Sequence, residues 1–140
     1  MKIRQLHDED LGPLAAVYLE AYDPTWTLEG ARAYLDKFRG FEPASCYVAE
    51  EADQSLSGAI LAYSYTRKSG LVIFIQELFV KPEFWKRGYG KRLVTMLRDS
   101  FSEAHRVNIV PLVKADPAVL HFYNSLGFEK DQAVLFMDDY

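Results

Sequence analysis

The run Leu71–Val80 is the feature that most restricts how this chain can fold. It is apolar on both alternations, apart from Gln76 and Glu77. A strand that is apolar on both sides must be covered on both faces, so we place it in the middle of a sheet with helices above and below. Pro82 has no N–H to donate and therefore ends the ladder.

The remaining pattern predicts helices and strands in an α/β (α+β) order. Apolar residues at helical spacing predict four helices, which begin at Asp8, at Thr27, after the glycines near residue 90 and at Asp116. We expect the third to continue to about His105 and Gly127 to end the fourth. The other predicted strands are Met1–Leu6, Ser45–Glu50, Gly58–Arg67, Val107–Val113, Phe128–Lys130 and Ala133–Asp138.

Length and composition indicate one folded domain. The chain has 140 residues, about half of them apolar, and no linker or repeat divides it, so we expect a single domain over residues 1–140. Cys46 lies in an apolar run and reads as a small buried side chain. The N-terminus lacks an apolar signal segment and no stretch is long enough to cross a bilayer, which predicts a cytoplasmic protein without membrane association.

Charge restricts the kind of partner. The formal net charge is −4, which argues against nucleic acid as the main ligand. The three histidines, His7, His105 and His121, lie far apart without partners at ligand spacing, so we predict no metal site. A local basic cluster within the acidic chain favours a small polyanion site, and its members are Lys81, Lys86, Arg87, Lys91, Arg92 and Arg98.

The segment Glu77–Val94 runs from the buried strand through Gly88 and Gly90 into a helix. Such a junction directs several backbone N–H groups, and the positive end of the helix dipole, at one point. Glycine lets a phosphate approach the backbone, although Gly88 could also serve only a tight turn. The segment is neither a dinucleotide fingerprint nor a Walker loop, because it has too few glycines and no following Gly-Lys-Ser/Thr.

Two segments resemble the GNAT superfamily of N-acetyltransferases. The residues Trp85–Gly90 resemble its pyrophosphate loop, Gln/Arg-x-x-Gly-x-Gly/Ala, with Trp85 where the family usually has Gln or Arg. The residues Asp116–Phe128 resemble its Asn-x-x-Ala-x-x-Phe-Tyr-x-x-x-Gly-Phe segment, with Asp116 and Val119 as replacements. The resemblance implies a GNAT-type fold, with a mixed, mostly antiparallel sheet of about six to seven strands and about four flanking helices.

The same resemblance implies acetyl transfer from acetyl-CoA to an amine of a small molecule, peptide or protein, by direct attack. The backbone N–H of Val80 or of a neighbour would then polarise the acyl carbonyl, and Tyr123 would be the acid beside the CoA sulfur. The residues that the resemblance assigns to the cofactor are Phe79, Val80, Trp85, Lys86, Arg87, Gly88, Tyr89, Gly90, Lys91, Asp116 and Tyr123.

An attacking amine has to lose a proton, and Glu77 is the candidate base because it is a carboxylate in an otherwise apolar strand. The alternative interpretations of Glu77 are a charge exposed where two strands of the sheet diverge, or an ion-pair partner for a nearby arginine. For Tyr123 the alternative is a core aromatic. Asp23 and Trp26, in the turn between the first two helices, are candidates for binding a cationic acceptor.

Two further expectations concern assembly and activity. The apolar segment Ala133–Met137 and the habit of the family predict a homodimer. A non-catalytic acyl-CoA-binding regulatory module with the same fold stays open as the alternative to an enzyme. Binding of nucleic acid through the basic cluster is the third and least favoured possibility.

Overall fold

A computed structural model describes residues 1–109 and 117–129 of the chain. The chain divides into two compact units, Met1–Val110 and Pro111–Tyr140. The first unit holds a sheet with three α-helices, and the second unit contributes one described helix. The expectation of a single domain over residues 1–140 stays a prediction.

The sheet of the first unit has five strands in the order β1-β2-β3-β4-β5. The strands β1 to β4 pair antiparallel in sequence order, and β5 pairs parallel to β4. The predicted central strand therefore lies between two neighbours, as its apolar pattern requires. The bounds are β1 Lys2–Gln5, β2 Cys46–Glu50, β3 Leu56–Arg67, β4 Gly70–Val80 and β5 Ala104–Ile109.

Three α-helices cover this sheet, α1 Leu11–Ala21, α2 Leu28–Arg39 and α3 Tyr89–Asp99. Thr27 begins α2 as predicted, because its hydroxyl accepts a hydrogen bond from the Gly30 N–H at 3.0 Å. The helix α3 connects β4 with its parallel neighbour β5, a pairing that a hairpin cannot make. Short 3-10 turns precede α1, β2 and α3, at Asp8–Asp10, Pro43–Ser45 and Pro82–Phe84.

The helices lie on opposite faces of the sheet. The helices α1 and α2 pack on the face that carries Val48, Leu61 and Phe79, which form one core with Leu14 and Leu35. Tyr47 points to the other face, where its hydroxyl hydrogen-bonds to Ser100 at the end of α3. This alternation along β2 follows from the period of two in a strand. Glu77 lies on the α1/α2 face of β4, because Tyr18 of α1 contacts it.

Some predicted boundaries are wrong. The third helix ends at Asp99 rather than His105, and Ala104 and His105 begin β5. Pairing with β4 outweighs the helical spacing there, since Ala104 lies opposite Leu71 and the His105 ring hydrogen-bonds to the Leu71 carbonyl. The described sheet has five strands rather than six to seven. Phe128 and Glu129 form no strand, and Lys130, residues 110–113 and Ala133–Asp138 lie outside the described residues.

The second unit contains α4, Pro117–Ser125. Gly127 follows it with φ +95°, and the Phe128 N–H donates to the Tyr123 carbonyl at 3.0 Å. This left-handed residue and the backward hydrogen bond terminate the helix as the sequence predicts. Asp116, the expected cap of α4, lies outside the described residues.

Candidate active site

A β-bulge in β4 places two polar side chains next to each other. Leu61 of β3 lies opposite Glu77, but Ala62 lies opposite Ile75, so Gln76 is an extra residue in β4. A bulge interrupts the alternation of side chains between the two faces. Gln76 and Glu77 both reach tyrosines of the α1/α2 layer, Gln76 through Tyr34 and Glu77 through Tyr18.

The carboxyl group of Glu77 is enclosed. Glu77 is only 2% exposed, and the Tyr18 hydroxyl donates a hydrogen bond to its Oε1 at 3.3 Å. Burial raises the pKa of Glu77 to about 7, against the lowering effect of hydrogen bonds from Tyr18 and Tyr34. The interpretation of Glu77 as an exposed charge is therefore wrong, and its hydrogen-bond partners are tyrosines rather than an arginine.

Aromatic rings surround this carboxyl group. The Tyr18 ring contacts Tyr34, Trp26 and Phe79 at centroid distances of 5.7, 6.4 and 5.2 Å. Tyr22 packs on both Tyr18 and Phe79. Burial and the charge of Glu77 both raise the pKa of Tyr18, so this hydroxyl stays protonated and acts as a donor. Phe79, assigned to the cofactor by resemblance, has its ring in the core of this layer.

Trp26 is the outermost ring of the cluster and is 41% exposed. Its indole lies so close to Gly30 that a Cβ there would come within 2.7 Å of Nε1, so any larger residue at this position would have to displace the indole. Trp26 also packs against Tyr34. The predicted substrate residue Trp26 thus lies beside both tyrosines that contact Glu77. Asp23 accepts hydrogen bonds from the Thr25 backbone and hydroxyl and so closes the loop before α2.

The C-terminal end of β4 presents an edge that β5 leaves uncovered within residues 1–109. The pairing of β4 with β5 reaches only Ile75 and Ile109. The Lys81 N–H donates to Ser57 of β3, so by alternation the polar groups of Leu78 and Val80 point away from β3. Their carbonyls accept from side chains: Leu78 from the Tyr22 hydroxyl at 2.8 Å and Val80 from the Trp85 indole at 2.6 Å. The N–H groups of Leu78 and Val80 point the same way.

The loop after β4 has the backbone of an anion site. Lys86 and Gly88 are left-handed, with φ of +63° and +80°. Gly88 precedes α3 without a side-chain cap, so the first N–H groups of α3 stay available. Left-handed residues beside helical ones make N–H groups converge into a concave nest that suits phosphate. A Cβ on Gly88 would meet no atom within 4 Å, so the space beside this residue is open.

Side chains hold this loop in place and surround it with positive charge. The rings of Phe84 and Tyr89 stack at 5.4 Å, and the Arg87 guanidinium lies over Phe84. The Tyr89 hydroxyl donates to Glu51, which also accepts from Ser57. Gly90 is buried in the first turn of α3, and four exposed basic residues surround the loop, namely Lys86, Arg87, Lys91 and Arg92.

Tyr123 belongs to the second unit, where it is half-buried in α4. Its ring contacts Phe122 at 5.1 Å and Phe128 at 5.8 Å. Its role as an acid stays a prediction.

The sequence did not single out three residues that the structure brings to Glu77. Tyr18 and Tyr34 read as core residues of two helices, and Gln76 reads only as a polar neighbour. Two consecutive polar residues in an apolar strand were the available sign of a bulge. The sequence also did not identify Glu51 as the acceptor of the Tyr89 hydroxyl, because its polar neighbours in the sequence are typical of an exposed turn.

Within the described ranges, 1–109 and 117–129, the side chains form no metal-binding group and no helix could span a membrane. Neither range contains three or more His, Cys, Asp or Glu side chains grouped so that they could hold a metal ion. Among these same residues no helix has the length and apolar character needed to span a membrane.

Comparison with known proteins identifies the family. A sequence model of the acetyltransferase (GNAT) family matches residues 13–128, so the chain belongs to this family. No curated protein matches the sequence.

The fold is that of known acetyltransferase structures. A Pyrococcus horikoshii protein shares 21% identity, with a TM-score of 0.80 over 95% of this chain and 91% of that chain. An aminoglycoside N-acetyltransferase in complex with CoA shares 20% identity, with a TM-score of 0.74 over 99% and 93%. Glucosamine-6-phosphate N-acetyltransferase from Arabidopsis thaliana shares 17% identity, with a TM-score of 0.69 over 99% and 98%.

Proposed function

We propose that this protein transfers an acetyl group from acetyl-CoA to a primary amine of a small molecule, peptide or protein, by direct attack in a ternary complex. The observation that carries the proposal is the enclosed Glu77 carboxyl in β4, the strand that leads directly into the phosphate-suited loop. Membership of the acetyltransferase family supports the acyl donor.

Glu77 is the base in this proposal. A primary amine has a pKa near ~10 and must lose a proton to become a nucleophile. A carboxyl group with a pKa of about 7 is ionised above neutrality and is much more basic than an ordinary glutamate. Glu77 therefore suits proton removal near physiological pH, which a surface carboxylate would do poorly.

The edge of β4 and the loop position the donor. The nest at Lys86–Tyr89 and the start of α3 bind the pyrophosphate, and Lys86, Arg87 and Lys91 add charge. Bound acetyl-CoA supplies the thioester carbonyl that the amine attacks. The Val80 N–H stabilises the oxyanion that forms there. Tyr123 gives its proton to the departing thiolate, as the family resemblance implies. A C–N bond forms and a C–S bond breaks. Glu77 receives the proton that the ammonium group loses before attack, and the proton that the nitrogen loses after attack replaces, through solvent, the one that Tyr123 gave up.

The family match covers residues of both units, which supports the further proposal that residues 1–140 act as one catalytic domain. We also propose a homodimer in the cytoplasm, with Ala133–Met137 at the interface. Light scattering at micromolar concentration tests the dimer, and a species of monomer mass alone would contradict it.

A non-catalytic acyl-CoA-binding module is the second candidate. It is favoured by the 2% exposure of Glu77 and by the contact of the Trp85 indole with the Val80 carbonyl, which lies where the donor should bind. Both observations describe a site in which the carboxyl group and the edge of β4 are already covered by protein atoms. A binding module needs the loop but not an ionisable base.

The experiment is a panel of primary amines with acetyl-CoA, in which free CoA thiol is measured over time. The panel includes polyamines, amino sugars, aminoglycosides and lysine peptides. Amine-dependent thiol release that Glu77→Gln abolishes supports the enzyme. Binding of acetyl-CoA in a melting assay without thiol release above the amine-free rate favours the module. Absence of acetyl-CoA binding would overturn both.

A further inference from the structure

The enclosure of Glu77 poses a problem of access. A general base must come within hydrogen-bond reach of the proton it removes, directly or through one intermediate. Glu77 is 2% exposed, its carboxyl group accepts a hydrogen bond from the Tyr18 hydroxyl at 3.3 Å, and a hydrogen bond from Tyr34 also lowers its pKa. An acceptor amine outside these rings therefore meets a hydroxyl group before it meets the carboxylate.

The two hydroxyl groups differ in position. Tyr18 lies on α1, is 7% exposed and is surrounded by Tyr22, Trp26 and Phe79. Tyr34 lies on α2 and is only partly buried at the margin of the core. Trp26, the exposed ring of the cluster, packs on Tyr34. Of the two residues, Tyr34 is the more exposed, which makes its hydroxyl the better candidate for contact with an acceptor.

Gln76 fixes the direction of the Tyr34 hydroxyl. Its Nε2 donates to the Tyr34 oxygen at 3.2 Å, so one lone pair of that oxygen is used. A phenol oxygen that accepts from one neighbour keeps its proton for another. Glu77 is that neighbour: it follows Gln76 at the bulge in β4, and a hydrogen bond from Tyr34 helps to lower the pKa of its carboxyl group. The bulge that puts Gln76 next to Glu77 thus orients Tyr34 as a donor to the carboxylate.

We propose that the Tyr34 hydroxyl relays the proton from the acceptor amine to the buried Glu77 carboxylate, with Gln76 as its positioning residue. The inference rests on the proposed function, because it needs Glu77 to be the base. In the step, the ammonium proton moves to the Tyr34 oxygen as the Tyr34 proton moves to Glu77. The phenol is neutral before and after, Glu77 becomes protonated, and the amine gains its free lone pair.

The test compares six variants, two of them at Gln76, on acetyl-CoA and the panel amine with the highest turnover. Glu77→Gln removes the base, Tyr34→Phe removes the relay and Tyr18→Phe removes the enclosed donor. Tyr47→Phe is the matched control, because it deletes a tyrosine hydroxyl that bonds to Ser100 on the opposite face of the sheet. Turnover, KM for each substrate, melting temperature and the solvent deuterium isotope effect are measured for all.

We expect Tyr34→Phe to lower turnover by a factor on the order of 100, as loss of a general acid–base group does, with the KM for acetyl-CoA unchanged. Tyr18→Phe should lower turnover less than Tyr34→Phe, and Tyr47→Phe should affect only melting. Gln76→Glu should impair turnover, because a carboxylate cannot donate to Tyr34, whereas Gln76→Asn should restore part of it.

The outcomes separate the two proposals. Full turnover in Glu77→Gln would overturn the assignment of the base, and the relay with it. Loss in Glu77→Gln with nearly normal turnover in Tyr34→Phe would overturn the relay alone. A loss in Tyr18→Phe equal to that in Tyr34→Phe would also overturn it, since neither hydroxyl would then be the specific route.

Discussion

Trp85 donates its indole N–H to the carbonyl oxygen of Val80 at 2.6 Å, although the indole is 55% exposed. The residue that departs from the family loop pattern is therefore bound to the edge of β4, beside the N–H proposed for the oxyanion. Any acyl-CoA arm that runs from the loop along this edge must meet the indole.

The first prediction uses Trp85 as a reporter. In a Trp26→Phe background, Trp85 is the only tryptophan, and we expect its emission to change in intensity and wavelength when acetyl-CoA binds. The physical reason is replacement of water around the indole by the cofactor arm. A fluorescence titration measures this. Unchanged emission at concentrations where acetyl-CoA raises the melting temperature would place the arm elsewhere.

The second prediction concerns the nest. Gly88→Asp and Gly88→Asn have nearly the same shape, and both residues tolerate the left-handed φ of +80°. We expect Gly88→Asp to abolish the rise of melting temperature caused by acetyl-CoA, because its charge repels the pyrophosphate. Gly88→Asn should keep part of that rise. Equal binding by the two variants would show that phosphate does not sit at Gly88.

The third prediction is a pH dependence of stability. The pKa of Glu77 is raised from an ordinary 4.5 to about 7 by burial, and the hydroxyls of Tyr18 and Tyr34 face it. The folded state therefore keeps a proton that the unfolded state loses, and the stabilising contribution falls as pH rises from about 4.5 to about 7. Across this window we expect the free energy of unfolding of Glu77→Gln to rise relative to that of the wild type, by roughly 3 kcal/mol at most.

Urea unfolding of both proteins at pH 5 and pH 8 measures this difference. The free energy of unfolding of the variant minus that of the wild type should be larger at pH 8 than at pH 5. A gap that is the same at both pH values would mean that Glu77 has an ordinary pKa in the folded protein, which would also weaken its assignment as the base.

The fourth prediction concerns the contact between Trp26 and Gly30. A Cβ at residue 30 would come within 2.7 Å of the Trp26 indole nitrogen, so Gly30→Ala should displace the indole. In a Trp85→Phe background we expect Trp26 emission to shift to the red and to become more accessible to acrylamide. Gly12→Ala is the control, because a Cβ there meets nothing within 4 Å.

Gly12→Ala should leave Trp26 emission as it is and raise stability by up to about 1 kcal/mol through helix propensity. If Gly30→Ala left the quenching of Trp26 at the wild-type level, the contact between the indole and the helix would not persist in solution.

Much of the fold could be predicted from sequence because it depends on local patterns. The apolar run of β4, the glycines before α3 and the Thr27 cap each determine structure within a few residues. The early end of α3 could not be predicted, since the helical spacing continues to Ala104 and only pairing with β4 terminates it.

The residues of the candidate site also fall into those that local sequence identifies and those that depend on distant contacts. Glu77 and the loop were identified because they are unusual where they occur. Tyr18 and Tyr34 were not, because a hydroxyl on an apolar helical face looks like any core aromatic until a partner from another element is known. That partner depends on the register of β3 and β4, which is a non-local property.

The extra residue in β4 also restricts the length changes that the strand can tolerate. Faces alternate with a period of two, so deleting Gln76 itself would restore regular pairing, with Ile75 and Glu77 still opposite Ala62 and Leu61. A deletion at another position in Leu71–Val80 would move residues on one side of it to the opposite face of the sheet. An insertion would have a comparable effect, so substitutions in this strand are far easier to accommodate than changes in its number of residues.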